Sequence, residues 1–98
     1  MVRAIKYKVS VYESVLHWLH EAEREIEEVF IPSKKIAFNI INNSFNAFRC
    51  EAPRDSKELT EIEIDNEFVE KLENFVKLRE ELINRAKEIL LLNSDSEE

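Results

Sequence analysis

The chain has two histidines, His17 and His20, and they are the first place to look for chemistry. On a helix, Glu13, His17 and Glu21 step by fours, so an imidazole and two carboxylates would share one face at a spacing metal ligands use. The order HWLHE matches neither the H-E-x-x-H of zinc proteases nor its inverse. His17 falls on the polar side of its segment, where an imidazole among carboxylates is ordinarily solvated. A metal-dependent enzyme around His17 is therefore a third reading, and the expectation is no bound metal, no cofactor and no catalytic residue.

Cys50 is the only cysteine and has no histidine near it in sequence, so packing is its expected role. One thiol makes no internal disulfide, which fits a reduced, cytoplasmic protein. Glycine is absent, which excludes phosphate-cradling glycine loops and the nucleophile elbow. The amino terminus is basic but lacks a continuous apolar core for a signal peptide, and no run approaches the roughly 20 apolar residues of a membrane span. No membrane association is expected.

A different chemistry suits Lys6, Lys8, Asn39, Asn46 and Phe48. On one open sheet face they would offer a stacking ring among polar and cationic groups, the elements of a single-stranded nucleic-acid platform. The net charge of −7 opposes this as a whole-molecule effect. The charge is uneven, however: residues 1–12 and 33–57 are basic, while 13–31 and 58–98 are acidic.

Any such site depends on the elements that carry it. Ile5, Tyr7 and Val9 alternate with Lys6 and Lys8, the period-2 pattern of a half-buried strand. Ser10-Val11-Tyr12-Glu13 reads as a capping box, and a helix over 11–30 follows, with Tyr12, Val15, Leu16, Leu19, Ala22, Ile26 and Phe30 on its apolar stripe and Trp18 on the flank. Pro32 ends it. Residues 33–51 read as a hairpin turning at Asn42-Asn43, because Asn tolerates positive φ; a helix is the alternative. Ile62 and Ile64 alternate with Glu61 and Glu63 in a further strand. The last element is a helix over 66–92, capped by Asp65 or Asn66.

The expected fold is α+β: a two-layer β-α-β-β-β-α domain over residues 1–93, two helices on one face of an antiparallel sheet, then a disordered acidic tail at 94–98. The strand at 58–64 is expected to pair with 45–51, and Lys6 and Lys8 to lie near Glu61 and Glu63. An all-α bundle of three or four helices is the alternative. The final helix would be about 40 Å long against about 20 Å for a six-residue strand, so it should overhang the sheet. Arg79 interrupts its apolar stripe. The overhang implies a covered surface, with Arg79, Ile83, Ala86, Ile89 and Leu90 as interface residues. The leading reading is a non-enzymatic protein–protein interaction module, an adaptor or accessory subunit, that pairs with itself through this helix and with another protein.

Overall fold

The computed structural model describes residues 1–15, 20–55 and 57–96. Its elements are β1 Val2–Val15, β2 His20–Ile31, β3 Ile36–Ile41, β4 Ser44–Arg49, β5 Lys57–Ile64 and α1 Asn66–Ser96. The strands form one antiparallel sheet in the order β4-β3-β2-β1-β5. The fold is α+β, with one helix among the described residues instead of two.

The helix expected over 11–30 is the main correction. β1 continues through Ser10 to Val15, and the chain returns as β2 in register with it, from Ile5 opposite Phe30 to Val15 opposite His20. Local charge explains the preference. A helix would set Glu21 over Glu25 and Glu23 over Glu27, like charges at i,i+4. As a strand, Glu27 lies opposite Lys8 and its carboxylate reaches Lys6 at 3.1 Å. The β-branched and aromatic residues Val9, Val11 and Tyr12 also suit continued strand.

The hairpin at 33–51 forms as expected. Asn42 and Asn43 both have positive φ, 49° and 64°, the pattern of a two-residue turn matched to strand twist. Phe38 faces Ala47 and Ile40 faces Phe45. β5, however, does not pair with β4. It lies at the opposite edge beside β1, with Val2 facing Ile64 and Ala4 facing Ile62. The adjacency of the first and fifth strands that their charges suggested does hold, though Arg3, not a lysine, binds Glu61.

Because β4 and β5 are at opposite edges, the chain between them must cross the sheet. Four strand spacings are about 19 Å, and the eight steps from residue 49 to 57 reach at most about 29 Å, enough to make the crossing. This strap crosses the face opposite α1. Both faces are consequently apolar. Ala4, Ile31, Ile36 and Ala47 are buried with Val69, Leu72 and Val76 of α1. Tyr7, Val9, Ile26, Phe30 and Ala37 form the second cluster, with Phe48 and Cys50 packed against it. Ile5, Tyr7 and Val9, the apolar side of β1, thus face the strap and not α1.

α1 begins just after β5. Asp65 caps it, its carboxylate accepting from the Phe68 amide at 2.9 Å. The helix then runs across the sheet: Phe68 packs on Phe38 of β3 at 5.2 Å and Phe75 on Phe45 of β4 at 5.3 Å. Arg49 of β4 donates to Glu80 at 2.8 and 2.9 Å. At 1.5 Å per residue, about 13 residues span the sheet's 19 Å width, which brings the helix to the β4 edge near residue 79. The rest projects past that edge. The overhang thus arises from the width of the sheet and not from strand length. The helix continues through Ser96, beyond the end expected at 92.

Candidate interaction surface

The densest chemistry in the described residues lies on the strap side. Asn46, Asn39, Glu28 and Tyr7 are successive cross-strand neighbours on β4, β3, β2 and β1. Glu28 is fully buried. Its Oε2 accepts from Tyr7 Oη at 2.5 Å and Arg54 Nε at 2.9 Å. Its Oε1 accepts from Arg54 Nη2 at 2.6 Å and Asn39 Nδ2 at 2.7 Å. Asn46 Nδ2 donates in turn to Asn39 Oδ1 at 3.0 Å. Arg54, from the strap, also lies 4.9 Å above the Phe48 ring.

Burial by itself pushes the Glu28 carboxyl up, but the hydrogen bonds from Arg54, Tyr7 and Asn39 outweigh it and hold the group below the usual carboxylate range. Burial, then the bond to Glu28, pushes the Tyr7 phenol well above its ordinary value. Burial, then the nearby Glu28 charge, also raises the Cys50 thiol. These directions suit structure better than catalysis. Four donors fill the acceptor sites of the carboxylate, leaving no free lone pair for a proton or metal. The thiol is kept protonated rather than activated. Chemically, the arrangement is a latch that fastens the strap to the middle of the sheet.

The strand register divides the five residues grouped as a nucleic-acid platform. Lys6 and Lys8 are on the α1 side of β1, with ion pairs to Glu27 at 3.1 Å and Glu58 at 3.9 Å. Asn39, Asn46 and Phe48 are on the strap side, where Asn39 is buried in the latch. An extra residue in the β1–β5 pairing between Lys6 and Lys8, with Glu58 at φ 54°, shapes the edge beside the lysines. The five do not form one open surface.

Of the interface residues expected on the final helix, Arg79, Ile83 and Ala86 line one groove, and Ile89 and Leu90 are exposed beyond it. At about 100° per residue, the helix has two apolar arcs. Val69, Leu72 and Val76 face the sheet and are buried. Phe68, Phe75, Leu82 and Ile89 recur every seven residues on an arc about a quarter-turn away, which points sideways. Leu82 is 60% exposed and Leu90 66%. Arg79 is exposed, not buried in the stripe, and lines a shallow groove of about 440 Å³ with Phe75, Leu78, Leu82, Ile83 and Ala86. A second groove of about 310 Å³ lies between α1 and the hairpin, walled by Phe45, Phe68, Leu72 and Phe75. Phe75 lines both. The interface expected from the sequence left out Phe75, Leu78 and Leu82 of the first groove and Phe45, Phe68 and Leu72 of the second. The sevenfold spacing signals the sideways arc, but no local pattern shows that Phe45 ends up beside Phe75.

His17 and Trp18 lie outside the described residues. Among the described residues, no group of three His, Cys, Asp or Glu side chains is placed to hold a metal ion, and no helix is long and apolar enough to cross a membrane. No protein family, curated protein or solved structure matches the chain.

Proposed function

We propose that this protein is a non-enzymatic interaction module that pairs with a second copy of itself through α1 and serves as a small adaptor or accessory subunit. One observation carries the reading: α1 runs off the β4 edge with Leu78, Leu82, Ile89 and Leu90 still exposed. A contiguous apolar stripe of this kind is costly in water and marks a surface meant to be covered. A two-fold pairing covers the same patch on both copies at once. On β2, the exposed Glu23, Glu25 and Glu27 alternate onto one face and would suit a basic surface on another protein.

Sedimentation velocity over a micromolar concentration series tests the reading. The expected result is a dimer boundary that gives way to monomer on dilution. A single monomer boundary at all concentrations would overturn it.

A further inference from the structure

We propose that the second copy joins at the β4 edge, strand against strand, so that the two sheets become one and each α1 continues over the neighbouring sheet. This rests on the self-pairing proposed above and names the strand that carries it.

The two edges of the sheet differ. β5 carries Lys57, Glu58, Glu61 and Glu63, and its pairing with β1 shifts register between Lys6 and Lys8. Charge and irregular pairing are what keep an exposed edge from adding strands. β4 has neither guard from Ser44 to Phe48, which are uncharged and pair with β3 without a shift. Its free bonding groups follow from one contact. The Cys50 amide donates to the Lys35 carbonyl at 3.0 Å. By alternation Ser44, Asn46 and Phe48 also bond towards β3, while Phe45, Ala47 and Arg49 turn their N–H and C=O groups outward.

The helix selects the register. Ala47 is buried under α1, so a two-fold axis at Ala47 would put both helices in the same space. Arg49 and Glu80 close one side of the helix, and Phe75 over Phe45 marks the apolar side. An axis at Asn46, on that apolar side, sets Phe45 opposite Ala47 of the second copy. The helices then lie two residues apart along the strand, about 7 Å, near the 8–10 Å of packed helices; an axis at Phe45 would separate them by about 14 Å.

Length agrees. From the axis to the far side of the second sheet is four and a half strand spacings, about 22 Å, and α1 from 79 to 93 spans about 21 Å. Leu82 and Ile83 come over β4 and β3 of the second copy. Phe45 and Ile40, opposite each other on those strands, are 39% and 61% exposed there. The two-fold makes this cover mutual. A strand from any other protein would fill the β4 edge but leave the end of α1 bare.

Disulfide trapping in a Cys50→Ser background tests the pairing. Asn46 opposite itself is a non-hydrogen-bonded pair, with Cα atoms about 4.5 Å apart and within disulfide reach. The expected result is an oxidised Asn46→Cys dimer, with no crosslink from Glu63→Cys on the β5 edge. Phe45→Lys, which gives β4 the kind of charge β5 has, should weaken dimerisation about tenfold or more, with its fold confirmed by circular dichroism. A dimeric Asn46→Cys chain that does not crosslink overturns the β4 pairing and leaves self-pairing through α1 intact. Equal crosslinking from both edges overturns it as well. A monomeric unmodified chain overturns both proposals.

Discussion

Arg54 of the strap grips Glu28 of β2 with two parallel hydrogen bonds, 2.9 Å from Nε and 2.6 Å from Nη2. The pair fastens the β4–β5 crossing by charge to the middle of the sheet. Glu28 has no solvent to fall back on, so the pair's importance lies in what its loss leaves behind.

Arg54→Met removes the counter-charge and leaves a buried carboxylate held only by Tyr7 and Asn39. The expected cost is about 3 kcal/mol, read as a shift in the urea unfolding midpoint at unchanged slope. Arg54→Met combined with Glu28→Gln should recover part of that loss, because the stranded charge is gone. A double variant no better than Arg54→Met alone would argue against the latch.

The same carboxyl sets an acid limit. Glu28 titrates lower in the folded chain than its ordinary 4.5. Its contribution is therefore complete above 4.5 and is lost as pH falls through the lower folded value. Urea titrations across the acid range should show stability falling there in the unmodified chain, with a shallower fall in Glu28→Gln.

At the hairpin, Asn43 holds φ at 64°. Asn43→Gly should be neutral or slightly stabilising, and Asn43→Val should cost about 1–2 kcal/mol in thermal or urea unfolding, because a β-branched side chain resists that conformation. Equal effects from the two would rule out a left-handed turn.

These elements also show what a sequence can reveal. The Asn42-Asn43 turn and the Asp65 cap were legible because each is a local requirement met by local residue types. The register of β3 against β4 followed from the turn. The first helix was misread because the spacing of Val15, Leu19, Ile26 and Phe30 satisfies a helical stripe, while the evidence for a strand lay in a partner: Lys6 and Lys8 on β1 beside Glu27 on β2. The Glu28 latch was not legible for the same reason. Its members come from four separate segments, and only the sheet order brings Arg54 across to Glu28. The exposed half of α1 was visible as an excess of apolar helix, but its direction past β4 depends on β5 starting at the far edge.

Asp65→Ala removes the acceptor for the Phe68 amide and should cost about 1 kcal/mol of stability. Dimerisation should be little changed at protein concentrations well above the dissociation constant, since the cap is far from residues 78–90. A large loss of dimer at full helicity would place the interface nearer the helix start than proposed.

The most direct test is the molar mass by light scattering of the unmodified chain and of Leu82→Glu, both at tens of micromolar and matched for circular dichroism. Leu82 is exposed in the monomer, so the substitution leaves the fold intact but buries a charge at the centre of the pair. The account predicts twice the chain mass for the unmodified protein and the single-chain mass for Leu82→Glu. A monomeric unmodified chain, or a Leu82→Glu protein that remains fully dimeric, would contradict it.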